Sequence, residues 1–212
     1  MPSVTRKSQS NRAQRREEIR ERLLEAVERA LASGDSYTEL SVERLANEAK
    51  LSRSTFYVYF EDKGDLLRIL VADVIGRLIE ATRVWWDLPK GFTRDDVQDA
   101  MTLLIDTYRP HHRLLGAVAD TASYDAGVRE AFMEMMDLSV KGVEDHIIRG
   151  QREGFVRPEI DPRPVASWLT WMTERGLYEL VPGADDAALA RLADAQATII
   201  WNTLYLSPNG RR

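Results

Sequence analysis

Ser52, Arg53, Ser54, Thr55, Tyr57, Tyr59 and Lys63 place hydroxyls and cations along one short stretch of chain. An arginine offers paired N–H groups that match the O6 and N7 acceptors of guanine, while hydroxyl and ammonium groups suit phosphate oxygens. This is the chemistry of gripping nucleic acid, not of breaking bonds. Residues that catalyse are scattered by comparison. His111 and His112 are adjacent and diverge at a helix start, His146 is solitary, and cysteine is absent. A di-iron bundle needs Glu-x-x-His pairs, but position 143 is Val143. No phosphate loop, nucleophile elbow or zinc spacing occurs. The reading is of a protein that is not an enzyme and carries no metal or cofactor.

The elements that must position those side chains are helices. Strand signals are nearly missing, and valines and isoleucines recur at helical spacing, so the fold class is all-α. Residues 1–14, rich in Ser, Gln, Asn and Arg, read as a disordered basic arm. A first helix is expected over 15–32, with Ile19, Leu23, Val27, Ala30 and Leu31 on its apolar stripe and Gly34 as its stop. Three N-caps follow closely: Ser41, Ser52 and Asp62. Leu40 with Leu45, and Leu51 with Phe56, are placed as hydrophobic staples, and Asp65 stands where a capping box reaches back. Leu45, Ala46, Ala49, Leu51, Phe56 and Phe60 form a small core between two short helices joined by a tight turn. With Phe56 and Phe60 inward, Ser54 and Val58 point outward, flanked by Arg53, Tyr57 and Thr55. Arg53 and Ser54, at the start of that helix, are nearest to base edges. Residues 15–62 thus read as a helix-turn-helix DNA-binding domain.

Residues 63–208 read as a larger helical domain, with helices expected over 63–86, 93–108, 111–122, 125–153, 162–181 and 185–206. Pro110, Gly154, Pro158, Pro162 and Pro182–Gly183 supply the breaks. The net charge is −5, but Arg6, Lys7, Arg12, Arg15 and Arg16 stand together without an acid in residues 1–16. A phosphate-seeking arm on an acidic body has that asymmetry. Neither a signal peptide nor a bilayer-spanning run is evident, so no membrane association and a cytoplasmic location are expected.

The run from Ser41 to Leu67, SVERLANEAKLSRSTFYVYFEDKGDLL, resembles the DNA-binding signature of TetR-family regulators throughout. The resemblance implies that Ser41, Thr55, Tyr57, Tyr59 and Lys63 hold phosphates while Arg53 and Ser54 read bases. Two positions depart from the pattern. Lys50 stands where the family usually has Gly, so a left-handed backbone there is strained. Ser54 stands where many members have Gly, which favours side-chain readout.

Further along, WMTERGLY at 171–178 and IIWNTLY at 199–205 resemble the mycobacterial EthR-like group of that family. The likeness implies a ligand channel faced by Leu104, Tyr108, Met133, Met136, Thr170, Thr173 and Tyr178, with Thr170 and Thr173 as hydrogen-bonding groups. Val140 and Trp171 lie on the same apolar stripes. A small lipophilic effector with one or two polar atoms is the expected occupant. The helix over 162–181 is apolar on several sides, and that over 185–206 is alanine-rich and closes on Ile199, Ile200, Trp201 and Leu204. Together they suit a two-fold four-helix interface, hence a homodimer. The expected function is a homodimeric repressor. It binds a palindromic double-stranded operator through helix 52–60 and is released by its effector. The alternative is a helical small-molecule-binding protein without DNA regulation.

Overall fold

The computed structural model describes residues 4–205, with the backbone alone at 4–13 and 73. The helices, in order, are α1 (Val4–Ala32), α2 (Val42–Glu48), α3 (Arg53–Tyr59), α4 (Lys63–Trp86), α5 (Arg94–Tyr108), α6 (His112–Thr121), α7 (Ala126–Glu153), α8 (Pro162–Leu180) and α9 (Asp186–Leu204). One 3-10 turn, Arg109–His111, joins α5 to α6. An isolated antiparallel bridge between Val156 and Tyr205 is the one β contact among the described residues. The all-α expectation holds. The arm does not begin as expected, because α1 is helical from Val4 rather than from about Arg15. No Gly or Pro interrupts Val4–Ala32, and Arg, Lys, Gln, Glu and Ala favour helix, so nothing local ends it earlier. Residues 1–3 of the expected arm lie outside the described residues.

The chain packs as two compact units, Met1–Asp73 with Arg113–Ala131, and Val74–His112 with Phe132–Arg212. This division falls inside α4, and it places α6 with the helix-turn-helix rather than with the residues that follow 63. In the first unit Leu23, Val27, Leu40, Leu45, Phe56, Leu66, Leu67 and Leu114 are buried. Gly34 closes α1 with a φ of 91°, as a left-handed stop requires.

In the second unit α9 packs along α5. The inner positions Leu189, Ala193, Ala197, Ile200 and Leu204 recur every three to four residues, and Ala193 and Ala197 keep the inner face thin. Thr93 starts α5 with a capping box to Asp96, whose carboxyl is held low by the backbone and hydroxyl hydrogen bonds of Thr93. On α7, Gly142 lies where a Cβ would meet the Trp86 ring at 2.4 Å, so the indole lies close against that helix.

A buried polar chain runs through the same unit. Trp85 Nε1 donates to the Tyr205 hydroxyl at 2.7 Å, and that hydroxyl lies 2.8 Å from His146 Nε2. His146 Nδ1 lies 2.8 Å from the Trp86 carbonyl, to which Arg149 also donates at 2.6 Å. These partners fix a neutral imidazole with Nδ1–H donating and Nε2 accepting. Burial, reinforced by Arg149 against the pull of the Trp86 carbonyl, depresses the imidazole from 6.5 to about 4. A base whose folded pKa is depressed takes up its proton more readily when unfolded. Its contribution is therefore full above pH 6.5 and is lost as pH falls towards 4, amounting to roughly 3 kcal/mol. Denaturant titrations between pH 7 and 4.5 should show this loss, and His146→Gln should flatten the slope. An unchanged slope in that variant would show that other groups carry the dependence.

Candidate nucleic-acid interface

Both short helices start on serine hydroxyls. Ser41 Oγ accepts the Arg44 N–H at 3.1 Å and Ser52 Oγ accepts the Thr55 N–H at 3.0 Å. Each hydroxyl satisfies an N–H that the helix cannot. Phe56 is buried and its ring lies 5.2 Å from that of Phe60, anchoring α3 by one side. The opposite side is open. Val58 is 75% exposed, and Arg53, Ser54 and Tyr57 are exposed with it. The Arg53 guanidinium lies 5.8 Å from the centre of the Tyr57 ring, so the two side chains form one platform. Ser52, Ser54 and Thr55 share their hydroxyls, with Ser52 Oγ 2.8 Å from Ser54 Oγ and 2.7 Å from Thr55 Oγ1. Tyr59 is half-buried, and so is Leu51, which contributes less to the small core than expected.

Lys63 is placed differently. Its ammonium donates to the carbonyls of Tyr37 at 3.4 Å, Leu40 at 3.3 Å and Thr38, and the Tyr37 hydroxyl donates back to the Lys63 carbonyl. An ammonium has three hydrogens, and all find acceptors in the α1–α2 loop. Spacing alone shows Lys63 at a helix start, not the loop carbonyls that fold over it. Asp62 caps α4 by accepting the Asp65 N–H at 2.7 Å, and Asp65 reaches back to the N–H of Glu61 at 3.0 Å.

Two arginines missing from the sequence reading brace this unit. Arg44 forks onto Asp35, with Nη1 at 3.1 Å and Nη2 at 2.5 Å, and reaches Glu48 at 3.0 Å. Its hydrogen bond holds the Asp35 carboxyl below the usual carboxylate range. Arg22 on α1 donates to the carbonyls of Ala49 and Lys50, the latter at 2.7 Å. The spacing of Arg44 and Glu48 signals a helical pair, but nothing in sequence signals an arginine whose acceptors are distant carbonyls.

The residues expected to line a ligand site are only partly gathered in the second unit. Leu104, Tyr108, Met136, Val140 and Thr170 are buried. Burial, with Glu174 and Tyr178 adding to it, pushes the Tyr108 phenol up. Thr170 Oγ1 is buried without a hydrogen-bond partner, whereas Thr173 Oγ1 accepts from the Gln196 amide at 2.8 Å. Tyr178 is half-buried, with the Arg175 guanidinium 5.0 Å from its ring centre. Met133 and Trp171 do not belong to the interior. Met133 is 42% exposed, in a stretch of α7 between Val128 and Met136 that has no buried residue. Trp171 lies beside the inner positions Ala166, Leu169, Thr170 and Leu177 of α8, on the exposed flank it shares with Trp168. Between α8 and α9 and reaching Ile105 of α5, the buried Leu177 and Val181 line an open, largely apolar hollow of about 130 Å³ together with Met172, Thr173 and Ile199. No helix among the described residues is long and apolar enough to cross a membrane.

Residues 25–70, from the last two turns of α1 through α2 and α3 into α4, match the family described as "Bacterial regulatory proteins, tetR family". No curated protein sequence matches the chain. Among solved structures, Salmonella enterica GusR is similar with a TM-score of 0.71 and 15% identity, covering 88% of this chain and 95% of that one. The TetR-family transcriptional regulator PfmR of Thermus thermophilus is similar at 0.68 and 17% identity, covering 87% and 99%. A transcriptional regulator from Saccharomonospora viridis, in complex with choline, is similar at 0.68 and 15% identity, covering 89% and 98%. The chain therefore has the two-part, all-α fold of TetR regulators, with their helix-turn-helix at residues 25–70.

Proposed function

We propose that the protein is a homodimeric transcriptional repressor that binds a palindromic operator through α3 and leaves it when a small lipophilic effector binds the C-terminal region. The observation that carries this reading is the division of α3: Phe56 is buried while Arg53, Ser54, Tyr57 and Val58 are open. A helix anchored by one aromatic and offering a guanidinium and hydroxyls outward suits a major groove. In this reading Arg53 and Ser54 read bases, while Ser41, Thr55, Tyr57 and Tyr59 meet phosphates. Lys63 reaches phosphate only by giving up a loop carbonyl. The basic residues of the N-terminal extension of α1 follow the DNA backbone.

Tyr108, Thr170 and Thr173 on otherwise apolar ground favour an effector that is mainly lipophilic with one or two polar atoms. The EthR-like resemblance points the same way. Helix α4 supplies Lys63–Asp73 to one compact unit and Val74–Trp86 to the other. An effector that binds better to one arrangement of this shared helix shifts the population of dimers away from the spacing an operator needs.

The test is selection of duplexes from a random-sequence pool by the full-length protein, followed by gel shifts on the winners. Enrichment of an inverted repeat with half-sites about one helical turn apart supports the reading. Failure to enrich any sequence, together with tight small-molecule binding, would instead favour a ligand-binding protein that does not regulate DNA.

A further inference from the structure

Between α2 and α3 the chain turns at Lys50, whose φ of 55° is the one left-handed angle borne by a non-glycine among the described residues. A side chain strains that conformation, because Cβ crowds the following carbonyl. The turn makes its own backbone bonds: Lys50 N–H to the Asn47 carbonyl at 3.0 Å and Leu51 N–H to the Ala46 carbonyl at 2.8 Å. The carbonyls of Ala49 and Lys50, on either side of the strained residue, are instead taken by the Arg22 guanidinium from α1. Two turns further along α1, Arg29 reaches the Glu48 carbonyl at 3.5 Å.

We propose that Arg22 is the positioning residue of the recognition helix: by gripping the Ala49 and Lys50 carbonyls it holds the left-handed turn and so sets the angle at which α3 leaves it. The direction of α3 depends on the two peptide planes flanking Lys50, and Arg22 Nη2, whose two hydrogens are shared between both carbonyls, ties both planes to α1. A lysine stands at the turn without the freedom of glycine, so the restraint comes from another helix. This inference rests on the DNA-binding reading of α3.

The experiment uses full-length wild type, Arg22→Gln, Lys50→Gly and the double variant. Each is titrated onto the duplex selected by the wild type, at several salt concentrations and at a temperature where circular dichroism shows all four folded. Arg22→Gln should bind about tenfold more weakly with an unchanged salt slope, and Lys50→Gly in the double variant should recover most of the loss. A slope lowered by about one would mark Arg22 as a direct phosphate contact and overturn the inference. Unchanged affinity in Arg22→Gln, or no recovery in the double variant, would overturn it too. If Arg22→Gln does not fold, Arg22→Lys replaces it; keeping the charge on a shorter side chain, with its ammonium set back from the position of Nη2, it should show an intermediate loss. Amide exchange across residues 49–52 without DNA should quicken in the Arg22 variant. Unchanged exchange rates overturn the inference whatever the DNA result. A wild type that selects no duplex sinks the DNA-binding reading itself, and the exchange rates still judge the role of Arg22 in the turn.

Discussion

Arg53→Ala combined with Tyr57→Ala should weaken operator binding by about a hundredfold or more while leaving the melting temperature within a few degrees of wild type. The size follows from what each side chain supplies. An arginine forked onto guanine contributes on the order of 1–3 kcal/mol of discrimination, and a hydroxyl on a phosphate adds a further hydrogen bond. The guanidinium also lies over the Tyr57 ring, 5.8 Å from its centre, so losing Tyr57 frees Arg53 to sample orientations that cannot reach a base. Stability should barely change because both side chains are exposed and the anchor, Phe56, is untouched. The single variants separate the roles. Arg53→Ala should relax sequence preference at one base pair of each half-site, whereas Tyr57→Ala should weaken all sequences alike. Gel shifts on the selected duplex and on single-base variants would measure both. Undiminished binding by the double variant would mean that α3 is not the reading helix.

The parts of this unit that were legible in the sequence are those set by local chemistry. Ser41, Ser52 and Asp62 cap their helices because a hydroxyl or carboxylate near a helix start needs only the N–H groups of the next three residues. The inward and outward sides of α3 follow from the spacing of Phe56 and Phe60. The strain at Lys50 was legible only through the family resemblance, which puts glycine at that turn position. What was not legible depends on partners distant in sequence. Lys63 and Arg22 are ordinary cations until the loop at 37–40 and the turn at 49–50 fold against them. Composition misled at the N-terminus, because a polar stretch without a helix breaker extends α1 as readily as it forms a coil. Met133 and Trp171 have the right residue types for a pocket, yet both are partly exposed, Trp171 with its ring edge-on to Phe132 of α7. Apolar periodicity shows that a side chain wants cover, not what covers it.

That distinction matters most on α8 and α9. Trp168 is 77% exposed, Leu180 54% and Ile199 45%, although the inner positions of both helices are already buried. A wet indole and isobutyl group at helical spacing forfeit burial that a second copy would supply. In a two-fold pairing of α8 and α9 with their counterparts, each such residue is covered twice, once in each subunit. Trp168→Glu with Ile199→Glu should therefore act twice over, removing apolar cover and placing like charges near the axis. Losing the burial of one large side chain costs about 2 kcal/mol, and two per subunit are changed. The dimer dissociation constant should rise by at least about a thousandfold, which moves a tight dimer to monomer at micromolar protein in sedimentation equilibrium. Both positions are exposed in one subunit, so the melting curve of the separated variant should still be cooperative. Its grip on a palindromic duplex should weaken sharply, since each α3 then binds its half-site alone. A variant that sediments as the wild type does would show that these side chains are not the dimer surface. A monomeric variant that keeps full operator affinity would show that the two recognition helices need no pairing.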